Sequence, residues 1–234
     1  MDAFKVRNIT KWSVGITTAP RKQPTLSQTI ASIKKAGWDR LQIFAEPDVE
    51  IPEYFDDLII GQRNERLGAF PNWYLSLTEM VLREPKAEAY LICQDDVLFT
   101  ENIREYLEYR LWPASEIGVV SIYCPSHYQQ QTTPGFIRED RGWKSWGALA
   151  YIFSNPSARS LLSDSVVLNH RGFGPAEGMH HIDAVVGLWC ERQQLPYFVH
   201  SPSLAQHIGE TSTIYPKASV VGHRKANHIL KSVQ

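Results

Sequence analysis

The first half of the chain alternates short apolar runs with segments of helical spacing, and this alternation constrains the fold more than any other feature. Strand-like apolar runs occur at residues 12–18, 41–45, 57–61, 90–99 and 117–123. Between several of them, apolar residues recur every three or four positions, as in residues 26–34, 72–82 and 103–111. Strands that alternate with helices usually form parallel sheets with helices on both faces. The sequence therefore predicts an α/β fold with a mostly parallel central sheet.

Two adjacent carboxylates, Asp95 and Asp96, interrupt the apolar run of residues 90–99. Such a run is typical of a buried strand, and open α/β sheets bind ligands at the carboxyl ends of their strands. Both acids are therefore candidate metal ligands. The alternative is that they cap the helix predicted after Thr100, although Thr100 is able to provide that cap by itself.

The loop after the first predicted strand carries Thr17, Thr18 and Arg21 just before a helix start. Hydroxyl groups and a cation at such a place suit a phosphate or a nucleotide. The sequence contains neither G-x-G-x-x-G nor G-x-x-x-x-G-K-[ST], so it has no dinucleotide fingerprint and no P-loop. Arg21 is equally well explained as a solvated cation of the loop.

The second half of the chain is less regular. Residues 125–142 are polar and predict a long loop of the kind that serves as a lid or an acceptor-binding segment. Residues 143–153 have strand character, and Ser154 or Asn155 is predicted to cap the next helix. A helix follows at residues 182–190, with Asp183 in its first turn, where a carboxylate is also favoured for purely structural reasons. Residues 196–199 predict a last short strand.

Composition excludes some partners. The chain has 24 basic and 25 acidic side chains and a formal net charge of -1, which gives no electrostatic reason to expect nucleic acid or an anionic membrane as the main partner. Its cysteines, Cys93, Cys124 and Cys190, are far apart and are predicted to be buried thiols of a reducing compartment. No apolar leader and no membrane-length apolar segment is present, so we expect a soluble cytoplasmic protein.

Six pieces of the sequence occur in an order that resembles the GT-A fold glycosyltransferases, most closely the N-acetylglucosaminyltransferases that branch N-glycans. They are residues 15–21, 68–73, 94–97 and 146–148, Asp183, and residues 206–209. The resemblance extends over about residues 12–214. The acidic motif of that group is usually Glu-Asp-Asp, so Gln94 stands where the family has its first acid.

The resemblance implies a Rossmann-like sheet in a single domain with an elaborated acceptor half. Residues 1–124 would form the half that binds the nucleotide sugar, and residues 125–216 the acceptor-binding and catalytic half. The basic, weakly patterned residues 217–234 indicate by their own composition a surface extension, with folding over the site as the alternative. The implied activity is the transfer of a sugar from a UDP-sugar, such as UDP-GlcNAc, to an acceptor hydroxyl, with inversion. The acceptor would be a glycan, a small molecule, a protein or a modified nucleobase.

The family pattern also implies roles for individual residues. Mn²⁺, or Mg²⁺, would be held by Asp96, Asp95 and His207, and an imidazole ligand favours Mn²⁺. Asp183 would be the general base, with Glu177 as the second choice. The residues expected to contact the nucleotide sugar are Thr17, Thr18, Arg21, Gly68, Asn72, Gln94, Asp95, Trp146 and Gly147. For His207 an ordinary surface or core position is the alternative. Either Trp146 or Trp143 could stack on a sugar face, and for both tryptophans core packing is the alternative.

Two other functions are compatible with the same fold. One is a non-catalytic module that binds a carbohydrate or a nucleotide. The other is a sugar nucleotidyltransferase, for which we would expect a glycine-rich loop with a lysine after the first strand; residues 17–23 lack the glycines.

Overall fold

The structure, a computed structural model, describes residues 9–128, 130–176, 178–209 and 225–230. These residues form an eight-stranded sheet, a two-stranded sheet and six α-helices. In chain order the elements are β1 (Trp12–Thr18), α1 (Leu26–Ala36), β2 (Leu41–Ala45), β3 (Leu58–Gln62), α2 (Ala69–Arg83), β4 (Ala89–Gln94), β5 (Val97–Phe99), α3 (Ile103–Arg110), β6 (Val119–Ser121), β7 (Gly135–Glu139), β8 (Ala150–Ser154), α4 (Asn155–Ser163), α5 (Ser165–Leu168), α6 (Ile182–Gln193), β9 (Tyr197–Ser201) and β10 (Ala205–His207).

The strand order of the large sheet is β3-β2-β1-β4-β8-β6-β9-β7. Strands β1 to β4 are parallel to one another, and β6 is parallel to β9. Only β8 and the edge strand β7 run against their neighbours. The predicted α/β class, a mostly parallel Rossmann-like sheet, is confirmed. Strand β8 lies between β4 and β6, so the two halves of the chain share one sheet.

Helices cover both faces of the large sheet, as the sequence predicts. On one face, Ile30 of α1 and Leu107 of α3 are fully buried in a cluster with sheet residues such as Ile16. On the other face, α2, α4 and α6 form a second cluster around Trp73 and Trp189. Apolar residues at helical spacing pack against alternating strand residues, and this burial is the main source of stability for such a sheet.

The apolar run of residues 90–99 is not one strand, which corrects the sequence prediction. Strand β4 ends at Gln94, Asp95 and Asp96 make a turn, and β5 leaves the large sheet to pair with β10. The two acids redirect the chain, and the backbone of β5 then finds its hydrogen-bond partners in the distant β10 strand. The run therefore contributes one strand to each of the two sheets.

The helix start after this run also differs from the prediction. The hydroxyl of Thr100 donates a hydrogen bond to the carbonyl oxygen of Leu230 at 2.6 Å and does not cap α3. The residue before α3 is Asn102, whose side chain forms no capping hydrogen bond. The alternative in which the acid pair caps this helix therefore has no support, since Asp95 and Asp96 lie on the far side of β5.

Two predictions for the second half of the chain are also corrected. The polar segment of residues 125–142 contains an edge strand, β7, because the open edge of β9 accepts it as a partner. Of the strand expected at residues 143–153, only β8 forms, and residues Gly142–Lys144 form a 3-10 turn instead. The cap of α4 is confirmed: Ser154 accepts a hydrogen bond from the backbone N–H of Ser157.

Part of the basic extension predicted at residues 217–234, residues 225–230, contacts the rest of the protein while most of its side chains stay exposed. Ser203 donates its N–H to the carbonyl of His228 at 2.9 Å and accepts one from the N–H of Leu230 at 3.0 Å, and Ala226 is buried. Residues 217–224 and 231–234 lie outside the described part of the chain. The predicted burial of all three cysteines is confirmed. Within the described ranges, no helix has the length and apolar character needed to cross a membrane.

Candidate active site at the ends of the central strands

The candidate site lies where the strand order of the large sheet reverses direction. From β1 the chain proceeds to β2 and β3 on one side, whereas β4 pairs with the other side of β1. The loops that follow β1 and β4 therefore diverge at the carboxyl edge of the sheet. Ligands of open α/β sheets bind in the crevice at such a switch point. This placement brings the loop with Thr18 and Arg21 next to Asp95 and Asp96.

The turn of Asp95 and Asp96, called the acid turn below, is held by its backbone. The hydroxyl of Thr29 donates to the carbonyl of Asp95 at 2.8 Å and accepts from the N–H of Val97 at 3.2 Å. The N–H of Ile208 donates to the carbonyl of Asp96 at 2.9 Å. Helix α1 and the segment after β10 thus fix the direction in which both carboxylates point.

Both oxygens of the Asp95 carboxylate are engaged. The Nε and Nη2 atoms of Arg21 lie 2.8 Å and 2.5 Å from Oδ1, and the hydroxyl of Thr18 donates to Oδ2 at 2.6 Å. Burial raises the pKa of Asp95 above its ordinary value, because the Arg21 charge and the Thr18 hydrogen bond offset the desolvation only in part. Asp95 is thus fixed by the loop that follows β1.

The Asp96 carboxylate is shared between a cation and an imidazole. Its Oδ2 atom lies 2.9 Å from Nη1 of Arg21 and 3.2 Å from Nε2 of His207. Burial would raise the pKa of Asp96, but the His207 hydrogen bond and the Arg21 charge outweigh it, and the pKa falls below its ordinary value. The other oxygen, Oδ1, is buried and has no hydrogen-bond partner in the described part of the chain. Asp96 is thus an ionised carboxylate with one unpartnered oxygen.

His207 reaches the acid turn through the pairing of the two small strands. In the antiparallel β5–β10 register, His207 lies opposite Val97, the residue directly after Asp96. The chain passes close to the carboxylate again at Gly209, where a side chain would collide with Asp96 Oδ2. Only a glycine allows this approach, so residues 207–209 and the acid turn fit together as one unit.

The predicted metal ligands meet only in part. Among the described residues, no group of three or more His, Cys, Asp or Glu side chains is arranged to hold a metal ion. Arg21 and Thr18 occupy both oxygens of Asp95. The unpartnered Oδ1 of Asp96 and the imidazole of His207, which contacts the other oxygen of the same carboxylate, are the oxygen and nitrogen donors of this cluster that could hold a cation.

A second group of predicted site residues consists of Trp146, Gly147 and Asp183. This group, with the aromatic side chains around it, is called the aromatic half below. The backbone N–H of Trp146 donates to the hydroxyl of Tyr128, and the ring of His127 meets the Trp146 ring edge-on, with 4.9 Å between the ring centroids. The Trp146 side chain is 38% exposed. Asp183 Oδ1 accepts the N–H of Ala184 at 3.1 Å, so the carboxylate lies at the helix N-terminus.

Gly147 packs against two buried tyrosines, Tyr151 and Tyr197. The hydroxyl of Tyr197 donates to that of Tyr151 at 3.0 Å, and a side chain at Gly147 would collide with both residues. Burial raises the pKa of Tyr151, and the negative charge of Asp183 raises it further. Gln94 connects the aromatic half to the acid turn, because its Nε2 donates to the carbonyl of Ala148 at 3.4 Å.

Three other predicted contacts are engaged within the protein. Thr17 donates its hydroxyl to the carbonyl of Cys93 at 3.2 Å. The Asn72 amide accepts from Arg63 Nε at 2.9 Å and donates to the carbonyl of Phe44 at 3.2 Å. Gly68 precedes α2. The predicted second-choice base, Glu177, lies outside the described residues.

Glu46 is a site neighbour that the sequence analysis missed. It is buried, follows β2 directly, and donates its N–H to the carbonyl of Thr18 at 2.9 Å. Its two carboxylate oxygens accept the N–H groups of Leu67 and Gly68, at 2.9 Å and 2.8 Å. The signal was available, since Glu46 follows a predicted strand directly, as Asp95 does. Glu46 fixes the start of α2 relative to the loop that follows β1.

No family model matches this chain, and no curated protein matches it. Among solved structures it is similar to a protein assigned as a glucose-1-phosphate thymidylyltransferase from Bacillus anthracis, in complex with sucrose. That likeness has a TM-score of 0.49 and 11% identity over 84% of this chain and 89% of the other. The inositol-1-phosphate CTP transferase from T. maritima has a TM-score of 0.46 and 10% identity, over 84% and 88%. Both are nucleotidyltransferases, and nothing in these comparisons points to the N-glycan-branching enzymes.

Proposed function

We propose that the protein is a metal-dependent glycosyltransferase that moves a sugar from a nucleoside-diphosphate donor, such as UDP-GlcNAc, to an acceptor hydroxyl. One observation carries the proposal: Asp96 is a buried, ionised carboxylate beside His207, and its Oδ1 has no partner within the described ranges. A buried unpartnered carboxylate oxygen is costly, and a bound cation would satisfy it. Its place at the switch point of the sheet is the place for a ligand.

Each residue then has a defined task. Asp96 and His207 would hold Mn²⁺, and the bound ion would supply positive charge to neutralise the leaving diphosphate. Thr18 and Asp95 would orient the nucleotide-sugar donor, and Arg21 would supply a guanidinium for its phosphates. The same metal and diphosphate chemistry would serve many nucleotide sugars, so a panel of donors is needed to identify the base and the sugar.

The aromatic half would bind the acceptor. Trp146 is 38% exposed, and its ring would stack on a sugar or another flat apolar surface. Asp183 takes the proton from the acceptor hydroxyl. At the same time the hydroxyl oxygen of the acceptor bonds to the anomeric carbon, and the bond from that carbon to the phosphate oxygen breaks. Inversion follows if attack comes from the face opposite the leaving group.

A second candidate is the nucleotidyl transfer for which both similar solved structures are named. In that reaction a nucleoside triphosphate and a sugar phosphate would give a sugar nucleotide and pyrophosphate. The loop between β1 and α1 contains no glycine, whereas we expect a glycine-rich loop for that chemistry. The two activities share the need for a cation at the acid turn and differ in their products.

The test is a product screen with Mn²⁺. The protein is incubated with a panel of nucleotide sugars, and release of the nucleoside diphosphate is measured. In parallel it is incubated with nucleoside triphosphates and sugar 1-phosphates, and pyrophosphate is measured. We expect diphosphate release from one donor and its loss on chelation. Pyrophosphate formation alone would replace the first proposal by the second, and the absence of both products would overturn both.

The control for this screen is a pair of acid-to-amide variants. Asp96→Asn should reduce diphosphate release by at least about 10³-fold, because the cation loses its charged protein ligand. Glu101→Gln changes an exposed acid close to the same strand and should leave the rate unchanged. Normal turnover in Asp96→Asn would contradict the proposed site.

A further inference from the structure

Arg21 makes more contacts with the acid turn than a phosphate-binding cation requires. Its guanidinium uses Nε and Nη2 for Asp95 and Nη1 for Asp96, all within 2.9 Å. The Arg21 side chain is only 12% exposed. Such a planar fork is matched to carboxylates and spans two of them in a way that a lysine ammonium does not. Arg21 thus joins both acids into one buried cluster.

The cluster is nevertheless incomplete. One guanidinium charge faces two carboxylates, and the imidazole of His207 approaches the same Asp96 oxygen that Arg21 already contacts. Three of the four carboxylate oxygens therefore have donors, while Asp96 Oδ1 has none in the part of the chain that the structure describes. This oxygen belongs to a residue that is 3% exposed. The arrangement leaves one negative charge and one oxygen for a further cation.

We propose that Arg21 is an internal counter-ion that competes with the divalent cation for the acid turn, and that a diphosphate group relieves the competition by taking over the guanidinium. This inference rests on the proposed function, because it assigns the diphosphate and the cation to the same site. Without a diphosphate, Arg21 keeps the two buried acids together and weakens metal binding. With one, the guanidinium pairs with phosphate oxygens, and the carboxylates become available to the metal.

Coulomb's law gives the expected direction of this effect. A positive charge within about 3 Å of both carboxylates repels a second cation at the same oxygens. A diphosphate offers the guanidinium several anionic oxygens in the bidentate geometry that arginine prefers. The opposite possibility is that Arg21 only supports the site. Removal of one partner of a buried ion pair would then disorder the acids and weaken metal binding.

The test measures Mn²⁺ binding by electron paramagnetic resonance, with no sugar donor present. Wild type is compared with Arg21→Gln and with Lys22→Gln, which removes the exposed cation next in sequence. We expect Arg21→Gln to bind Mn²⁺ at least tenfold more tightly than wild type, and Lys22→Gln to behave as wild type. Equal or weaker Mn²⁺ binding by a folded Arg21→Gln protein would overturn the inference.

Two further measurements locate the ion and the role of the diphosphate. Adding Asp96→Asn to Arg21→Gln should abolish the gain in Mn²⁺ affinity, and its persistence would place the ion elsewhere. The affinity for UDP in the absence of metal, measured by calorimetry, should fall about tenfold in Arg21→Gln and remain unchanged in Lys22→Gln. Unchanged UDP affinity in Arg21→Gln would contradict the transfer of the guanidinium to phosphate.

Folding of the variants is checked by circular dichroism and thermal melting. If Arg21→Gln does not fold, Arg21→Lys is used, which keeps the charge but cannot span both carboxylates. We then expect Arg21→Lys to bind Mn²⁺ more tightly than wild type, but by less than the tenfold expected for Arg21→Gln. Binding by Arg21→Lys that is no tighter than that of wild type counts against the inference. Because no turnover is measured, an inactive result in the donor screen would contradict the proposed function without deciding the role of Arg21.

Discussion

The acid turn and the aromatic half differ in how far their side chains are exposed to solvent. At the acid turn, Arg21, Thr18 and His207 are in contact with the two carboxylates, which are 3% exposed. In the aromatic half, the Trp146 ring is 38% exposed and Asp183 is half-buried at the start of α6. The acid turn holds its charged groups in a buried cluster, whereas the proposed acceptor site is partly open to solvent.

This contrast has an energetic consequence. Substitutions in the acid turn alter buried, mutually dependent contacts, so they affect stability and activity together. Substitutions of exposed groups in the aromatic half should affect turnover with little change in stability. Three variants test the separation, in order of decreasing expected effect.

The largest effect is expected from Asp183→Asn. The amide keeps the shape and the hydrogen bond to the Ala184 N–H but cannot accept the acceptor's proton. We expect transfer to fall by about 10³-fold, within the range for loss of a general base. The melting temperature and UDP affinity should be unchanged.

The matched control for Asp183→Asn is Asp164→Asn, which changes an acid at the start of the neighbouring short helix α5. It should leave transfer unchanged. If Asp183→Asn lost UDP binding along with transfer, Asp183 would belong to the donor side and the division between the two regions would not hold.

An intermediate effect is expected from Thr18→Val. The change deletes the hydroxyl that donates to the buried Asp95 carboxylate at 2.6 Å. A hydrogen bond to a charged group contributes about 2 kcal/mol, so the free energy of unfolding should fall by about that amount. Urea denaturation measures it.

Thr17→Val is the neighbouring comparison, because its hydroxyl donates only to the neutral carbonyl of Cys93. It should cost about 1 kcal/mol. Equal losses for both variants would show that the charge of Asp95 adds nothing to the Thr18 hydrogen bond.

The smallest effect is expected from Trp146→Ala. Loss of the exposed ring should raise the KM for the acceptor by about tenfold, equivalent to about 1.4 kcal/mol, while donor hydrolysis stays the same. Trp143→Ala removes a tryptophan of similar exposure, 41%, whose ring lies under Lys144. If both variants behave alike, acceptor recognition is not specific to Trp146.

Much of the fold followed from local patterns. Strands β1 and β2 match their predicted bounds, and α1, α2 and α6 lie where helical spacing predicted them, because a buried face leaves its period in the sequence. The failures lie where a partner strand determines the structure. Strand β7 forms because β9 offers an open edge, and β5 separates from β4 because β10 pairs with it. Pairing energy of this kind has no local signature.

The site shows the same division at the level of side chains. The sequence by itself determined that two acids follow a buried strand and that a hydroxyl- and arginine-bearing loop follows another, since strand ends are marked by where apolar runs stop. The tertiary structure decided which groups meet there. It brought His207 to Asp96 across more than a hundred residues, assigned Arg21 to the carboxylates, and left Asp96 Oδ1 unpartnered within the described ranges. Contacts between distant segments depend on register and packing, which only the assembled sheet fixes.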